Sequence, residues 1–97
     1  MKLPSPLSFE WDKGNSDKNW IKHNVSNKEA EEIFLNKPLK TFRDTKHSQL
    51  EIRYFALGAT NNGRYLYTTF TLRKERVRII SARNQSKKER KFYEKTN

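Results

Sequence analysis

The sequence predicts one α+β domain, with two N-terminal helices, an antiparallel meander sheet of three to five strands and a short C-terminal helix. Three observations lead to this prediction. A helix-capping signature, Ser-x-x-Glu, begins at Ser26, ahead of apolar residues at helical spacing. After Pro38 the pattern becomes strand-like and includes Asn62-Gly63, a strong hairpin signal. A second Ser-x-x-Glu signature at Ser86 predicts the last helix.

The length of 97 residues allows one hydrophobic core. Residues 1–8 lack the apolar core of a signal peptide, and no apolar run approaches the ~20 residues that span a bilayer. The chain has no cysteine, so disulfides and thiolate metal sites are excluded. We therefore expect a cytoplasmic protein with a flexible N-terminus over residues 1–8 and a single domain over residues 9–97.

The first half of the chain predicts a short strand and two helices. Residues 8–11 suit an edge strand with Phe9 and Trp11 on one face. Asp12 is a candidate N-cap for a helix that runs to about His23, and Asn24 can end it in the left-handed conformation.

The second helix follows the Ser26 capping signature and ends at Pro38. Its predicted buried residues are Ala30, Ile33 and Phe34. Four strands and a helix are expected after it, at residues 39–44, 51–59, 64–73, 76–83 and 86–95, with a polar loop at 45–49.

Two-residue turns at Asn62-Gly63 and Lys74-Glu75 fix the predicted register of the sheet. They pair Phe55 with Phe70, and Phe70 with Ile79. The predicted core face then consists of Phe55, Leu57, Ala59, Leu66, Phe70, Leu72, Val77 and Ile79. The opposite face consists of Tyr54, Tyr65, Tyr67, Thr69, Thr71, Arg73, Arg76 and Arg78, together with Ile52, Ile80 and Ala82. A one-residue slip would exchange the faces.

The charge predicts a polyanionic partner. Lys and Arg number 21 against 11 Asp and Glu, a net charge of +10. Tyrosines and arginines sharing one sheet face suit single-stranded RNA, through base stacking and bidentate phosphate contacts. A solvated strand surface is the plainer alternative. The predicted pairing leaves Arg64 and Arg83 on the core-facing side near strand ends, so these two must turn outward or line a pocket against a helix.

Cleavage of RNA through its 2′-hydroxyl needs proton transfer and a cation at the phosphate. The candidates for proton transfer are His23, His47, Glu89 and Tyr93. His23, at a predicted helix C-terminus, also fits a dipole cap, whereas His47 lies in a loop. Neither histidine has a partner at metal-ligand spacing, so we expect no metal and no cofactor.

Several blocks of the sequence, in order along the chain, resemble the BrnT toxin family. They are Phe9-Glu10-Trp11-Asp12, Asn19 with Lys22-His23 and Val25-Ser26, Asp44 to Ser48, Glu51-Ile52-Arg53, Arg78 to Arg83, Lys88-Glu89-Arg90 and Tyr93-Glu94. The chain departs from the family pattern at Asn24, where glycine is usual, at Asn27, where an aromatic is usual, and at Lys46, where arginine is usual.

The resemblance implies a RelE-like endoribonuclease that inhibits translation and is neutralised by a BrnA-type antitoxin. It also implies contact with RNA, including ribosome-bound mRNA, and with operator DNA only through the antitoxin. No membrane partner is implied. The expected catalytic residues are Arg78, Arg83, Glu89, Tyr93 and His47, with His23 as a further candidate. The expected RNA-binding residues are Arg64, Tyr65, Tyr67, Arg73, Arg76, Lys87 and Arg90.

Two other functions fit the same sequence. One is a non-catalytic RNA- or ribosome-binding module, which needs the basic face and no acid–base pair. The other is an interaction subunit whose basic face receives an acidic antitoxin segment.

Overall fold

A computed structural model describes residues 2–95 of the chain and confirms the α+β fold. The four strands form one antiparallel meander in the order β1-β2-β3-β4. The elements are α1 (Lys18–His23), α2 (Asn27–Leu35), β1 (Lys40–Asp44), β2 (Arg53–Ala59), β3 (Tyr65–Arg73), β4 (Arg76–Asn84) and α3 (Lys87–Lys95). The last two residues of the domain expected at 9–97 lie outside the described part.

The N-terminal segment pairs with the free edge of β4. A parallel bridge joins Phe9 to Val77, and the Glu10 N–H donates to the Val77 carbonyl at 2.8 Å. Phe9 and Trp11 both pack against the core, on one face as predicted. Leu3 and Leu7 pack there too, so part of the segment expected to be flexible contributes apolar contacts.

The first helix is shorter than predicted, because it begins at Lys18 and not after Asp12. The Asp12 carboxylate accepts the Gly14 N–H at 2.7 Å, and its carbonyl accepts the Ser16 N–H at 2.8 Å. Asp12 therefore closes a turn of its own. The helix ends as predicted, with Asn24 in the left-handed conformation at φ 57°.

The second helix forms as predicted and packs closely on β2. Its capping box is complete, with the Ser26 hydroxyl and the Glu29 carboxylate each accepting the other residue's N–H at 3.0 Å. Ala30, Ile33 and Phe34 are buried. A Cβ added at Gly58 would lie 2.9 Å from the Cβ of Ile33, so glycine permits this approach.

The hairpin between β2 and β3 has a wider loop than predicted. Thr60 pairs with Arg64 through a 2.9 Å hydrogen bond, which leaves a three-residue loop that ends at Gly63, φ 80°. The loop is held from α2, where the Glu32 carboxylate accepts the Asn61 N–H at 3.1 Å. These contacts outweigh the local preference of Asn-Gly for a two-residue turn.

The wider loop exchanges the two faces of β2. Tyr54 now pairs with Phe70, and Phe55 with Thr69. Tyr54 therefore stacks on Phe70 at the core, with ring centroids 5.5 Å apart, although the outer face was predicted for it. The core-face prediction was wrong for Phe55, Leu57 and Ala59.

The second hairpin has the predicted register only at its start. Arg73 pairs with Arg76 and Phe70 with Ile79, as predicted. A bulge then shifts the register, so that Thr69 pairs with Ser81 and Ile80 is the extra residue. Because of the bulge, two predictions were wrong. Ala82 is buried in the core, and Arg83 pairs with Tyr67 on the face away from it.

The sheet thus has an inner face against α1 and α2 and an outer face that α3 covers in part. The core comprises Val25, Ala30, Ile33, Phe34, Ala56, Leu66, Phe70, Val77, Ile79 and Ala82. We call the part of the outer face near the β1–β2 loop, with Asp44, Arg53, Thr71 and Arg78, the loop end. The part beside α3, with Phe42, Leu57, Tyr67 and Arg83, is the helix end.

Candidate RNA-binding and catalytic surface

Arg78, at the loop end, is enclosed by carboxylates of the N-terminal segment. Its guanidinium donates to Glu10 at 2.8 Å and to both oxygens of Asp12 at 2.9 and 3.0 Å. The side chain is only 11% exposed. A Cβ on Gly14 would lie 2.7 Å from the Arg78 guanidinium, so this segment fits tightly over it. The geometry of Arg78 is that of a structural ion-pair centre.

The neighbouring arginines of the loop end are also engaged. Arg73 donates to both oxygens of Glu51, at 2.7 and 2.9 Å, and Arg76 donates to the Phe9 carbonyl. The hydrogen bond from Arg78 is the main reason that the pKa of Asp12 is lowered, and the bond from Arg73 is the main reason for Glu51. These carboxylates therefore remain charged at neutral pH and offset the arginines.

His47 lies in a 3₁₀ turn after β1 and is exposed over 64% of its side chain. Its Nδ1 lies 2.9 Å from the Asp44 carboxylate, which also accepts the His47 N–H at 3.3 Å. Partial burial raises the pKa of Asp44, but the hydrogen bonds from His47 outweigh it, and the net pKa is lowered. A charged Asp44 favours the tautomer with its proton on Nδ1, which leaves Nε2 as an acceptor toward solvent.

Arg53 shares a cavity with this histidine. The cavity has a volume of about 310 Å³ and is lined by His47, Gln49, Leu50, Glu51 and Arg53. Within residues 2–95 the Arg53 guanidinium forms no ion pair with a carboxylate, in contrast to Arg73 and Arg78, although its charge helps to lower the pKa of Glu51. Its backbone is fixed, because its N–H donates to the Ser48 hydroxyl at 2.9 Å.

The helix end carries a row of stacked rings across the sheet. Phe42 stacks on Phe55 with centroids 5.0 Å apart, and Phe55 stacks on Tyr67 at 5.3 Å. The Arg83 guanidinium covers the Tyr67 ring at 4.2 Å. On the α3 side, Phe92 lies 5.5 Å from Phe42. The ring faces in this row therefore contact one another or an arginine.

Arg83 and Glu89 are the two predicted catalytic residues that the structure brings together. Two bonds of 2.9 Å join the guanidinium to the two carboxylate oxygens. Glu89 also completes the predicted capping box by accepting the Ser86 N–H at 2.8 Å. The Arg83 bond is the main cause of the lowered pKa of Glu89, so this group is a carboxylate at neutral pH. Arg83, still 39% exposed, is accessible to a ligand.

The remaining predicted residues of α3 anchor or border that helix. Tyr93 is buried and donates to the Pro38 carbonyl at 2.5 Å. Arg90 covers the ring of Tyr65 at 3.9 Å. Lys87 is exposed at the start of the helix. Burial is the main cause of the raised pKa of Tyr93, so its phenol stays protonated.

Arg64 faces the helices, which fits the expectation that it lines a pocket against a helix. It donates to the His23 carbonyl at 3.1 Å, the Asn24 carbonyl at 2.7 Å and the Glu29 carboxylate. These contacts close the junction of α1 and α2. They leave Arg64 and the nearby His23 away from the outer face.

The predicted site residues of the outer face therefore fall into two separate groups. Arg78 and Arg83 are five residues apart on β4, which corresponds to about 16 Å along a strand. They do not converge on one phosphate. Reasoning from the sequence missed Asp44 and Arg53 as members of the His47 group and Phe42 as a member of the aromatic row. The spacing Asp-x-x-His was a signal for Asp44, because a 3₁₀ turn brings such residues together.

The sequence matches, over residues 11–89, the family described as the ribonuclease toxin BrnT of type II toxin–antitoxin systems. The chain belongs to the BrnT family. A search among curated proteins found no match. The part that matches BrnT includes both groups, from His47 to Glu89, whereas Arg90 and Tyr93 lie beyond it. A BrnT toxin belongs to a two-protein system, so a protein antitoxin is its partner.

Two further observations concern the described residues of this BrnT chain. Between residues 2 and 95, no three His, Asp or Glu side chains are grouped as a metal would require. None of the helices there is long and apolar enough to cross a membrane.

Proposed function

We propose that this BrnT-family chain is an endoribonuclease that cleaves RNA by attack of the 2′-hydroxyl on the neighbouring phosphate, without a metal. The observation that carries the proposal is that His47, paired with Asp44, lines the same cavity as Arg53. His47 supplies a proton acceptor and Arg53 supplies a cation, and both lie on one exposed surface.

His47 is the proposed general base. With Nδ1–H donated to Asp44, Nε2 accepts the proton of the 2′-hydroxyl, and the Asp44 carboxylate stabilises the imidazolium that forms. The oxygen then attacks phosphorus and the bond to the 5′-oxygen breaks. The departing oxygen takes a proton from water, and the imidazolium returns its own proton to solvent. The products are a 2′,3′-cyclic phosphate and a 5′-hydroxyl. Asp44 is a positioning residue in this scheme.

Arg53 is the proposed ligand of the scissile phosphate. A guanidinium holds two phosphate oxygens at once and offsets the charge that develops on them. Arg73 and Arg78 are less suited to this task, because RNA must first displace Glu51, Glu10 or Asp12 from them. We propose that Arg73 and Arg78, together with Arg76, stabilise the surface on which the RNA lies.

The helix end is proposed to bind the RNA flanking the cut. Arg83 exchanges Glu89 for a phosphate, and its movement uncovers the Tyr67 ring for a base. Lys87 and Arg90 add charge beside it. Glu89 and Tyr93 then act by placing Arg83 and α3, and not by proton transfer.

We further propose the cellular role that the family suggests. The enzyme inhibits translation in the cytoplasm by cutting mRNA, free or on the ribosome, and a BrnA-type antitoxin neutralises it. Operator DNA is reached only through that antitoxin.

The test is cleavage by purified chain, free of antitoxin, of free RNA in excess EDTA and, separately, of ribosome-bound mRNA in a magnesium buffer that keeps the ribosomes assembled. We expect cleavage with cyclic-phosphate ends and a fall in kcat of about 100-fold or more in His47→Ala. His23→Ala is the matched control and should cleave like the wild type. Salt-dependent RNA binding with no cleavage in any condition would instead establish the non-catalytic binding module.

A further inference from the structure

A groove runs along α3 on the outer side of the helix end. It consists of two adjoining cavities that share Phe92. One, of about 410 Å³, is lined by Phe42, Phe55, Leu57, Tyr67, Lys88, Glu89 and Phe92. The other, of about 520 Å³, is lined by Lys91, Phe92, Glu94 and Lys95. Phe92 is 45% exposed between them, so the groove has an apolar floor.

Lysines rim this groove. Lys88, Lys91 and Lys95 are spaced to lie along one side of α3, and they form no ion pair within residues 2–95. The two acidic residues of the helix are already engaged, Glu89 by Arg83 at 2.9 Å and Glu94 by Arg90 at 3.9 Å. The net charge of the rim is therefore positive.

The floor suits an apolar side chain better than a nucleobase. A base gains affinity by stacking on an open ring face and by hydrogen bonds at its edges. Here Phe55 and Tyr67 contact each other face to face, and the Glu89 carboxylate is bound by Arg83 and Ser86. Ring edges and the exposed part of Phe92 remain above the buried Leu57, and these form the kind of pocket that receives an anchor residue of a protein partner.

From this arrangement we propose that the groove is the docking site for an acidic segment of the antitoxin, with one bulky apolar side chain seated against Phe92. The partner is a protein because the family belongs to a two-protein system, and it is acidic because the rim is basic. A segment bound there lies beside Arg83 and blocks RNA from the helix end. This last consequence, but not the docking itself, rests on the proposed function.

The experiment measures binding of the full chain to the protein encoded beside its gene, by calorimetry at low and at high salt. Phe92→Ala should weaken binding about 30-fold, while Phe92→Leu keeps most of it. Replacement of Lys88, Lys91 and Lys95 by Glu should weaken it about 100-fold at low salt and much less at high salt. Thermal melting checks that each variant is folded.

The matched controls lie on the helices of the inner face. Ile21 is 85% exposed on α1, and Ile21→Ala removes a comparable apolar group. Replacement of Lys18, Lys22 and Lys28 by Glu makes the same change of charge as the α3 variant. Both controls should bind the antitoxin within about two-fold of the wild type.

Several outcomes would overturn the docking site. Unchanged antitoxin binding by Phe92→Ala and the α3 lysine variant is one. Loss of RNA binding in those variants, with antitoxin binding intact, would assign the groove to RNA. Loss of a homodimer, with antitoxin binding intact, would assign it to a second copy. If the wild-type chain cleaves no RNA but Phe92→Ala loses the antitoxin, the docking site stands and the proposed nuclease function fails.

Discussion

The two ends of the outer sheet face carry arginines in opposite situations. At the loop end, Arg78 is 11% exposed and is held by two carboxylates of the N-terminal segment. At the helix end, Arg83 is 39% exposed and is held by the single carboxylate of Glu89. Both belong to β4, and both suit phosphate by residue type alone. What separates them is how much competing negative charge the fold already supplies.

The comparison shows that a high net charge does not locate a binding site. A phosphate must displace the carboxylates around Arg78 and gains little by doing so. Arg83 has one exchangeable partner, and Arg53 forms no ion pair within residues 2–95 and has only the nearby charge of Glu51. We infer that RNA is cleaved at the His47–Arg53 group of the loop end. The helix end binds the RNA that flanks the cut.

The largest expected effect is on kcat, and it should distinguish cleavage at the loop end from RNA binding at the helix end. Arg53→Ala should lower kcat on an RNA oligonucleotide about 100-fold, because it removes the cation from the scissile phosphate. Arg83→Ala should chiefly raise KM, by roughly 10-fold. Initial rates of multiple-turnover cleavage at several RNA concentrations give both constants.

Arg43→Ala is the matched control for Arg53→Ala. Arg43 is an exposed arginine of β1 that pairs with Tyr54, on the inner side of the strand. We expect its rate to stay within two- or three-fold of the wild type. A large fall in kcat for Arg83→Ala, with Arg53→Ala unaffected, would move the chemistry to the helix end.

Asp44→Asn should have the next largest effect, about a 10-fold fall in kcat with KM unchanged. The amide still accepts the His47 N–H, so the turn is kept, but it no longer stabilises a charged imidazole. Asp44→Glu restores a carboxylate and should recover part of the rate. A change in KM with kcat unchanged, or no change in either constant, would show that Asp44 only shapes the loop.

Features set by local chemistry were predictable from the sequence. The Ser26 and Ser86 capping boxes and the left-handed Asn24 depend on side chains within a few residues of one another. The pairing of Arg73 with Arg76 is equally local, since Lys74 and Glu75 form the tight turn between them. These elements gave the fold class and the order of the strands.

Features set by distant contacts were not predictable in this way. Glu32 of α2 holds Asn61 in the wider hairpin loop, and that one extra residue reverses the faces of β2. The bulge at Ile80 then places Arg83 over Tyr67. Face assignment thus failed where tertiary packing chose the register, and the pairing of Arg78 with Asp12, 66 residues away, could not be read from spacing.

Stability should depend more on Arg78 than on Arg83, the reverse of their expected importance for RNA binding. Arg78→Ala leaves Glu10 and Asp12 without their donor and loosens the N-terminal segment, so Tm should fall by roughly 5–10 °C. Arg83→Ala removes a more exposed pair and should lower Tm by about 2–4 °C. Thermal unfolding followed by circular dichroism measures both.

The matched control is Lys22→Ala, a lysine of α1 without an ion pair in the described residues. It should leave Tm within about 2 °C of the wild type. Arg83→Ala melting below Arg78→Ala would contradict a structural role for the loop-end arginines.

The smallest expected effect is the pH dependence of the Arg83–Glu89 pair. The Arg83 hydrogen bond lowers the pKa of Glu89 below its ordinary value of 4.5, so on acidification the unfolded chain takes up this proton first. The stabilisation is therefore complete above about pH 4.5 and is lost as the pH falls through the folded-state pKa. Glu89→Gln keeps an acceptor for the Ser86 N–H and removes only the charge.

Urea unfolding should find Glu89→Gln less stable than the wild type by no more than about 1 kcal/mol at pH 7, and by less at pH 3. Asp12→Asn tests the loop end in the same way, because the pKa of Asp12 is lowered chiefly by Arg78. Asp12 is 55% exposed against 25% for Glu89, so solvent screens it more and its difference between the two pH values should be smaller. A Glu89→Gln deficit as large at pH 3 as at pH 7 would mean that this carboxylate acts through shape and capping, and not through its charge on Arg83.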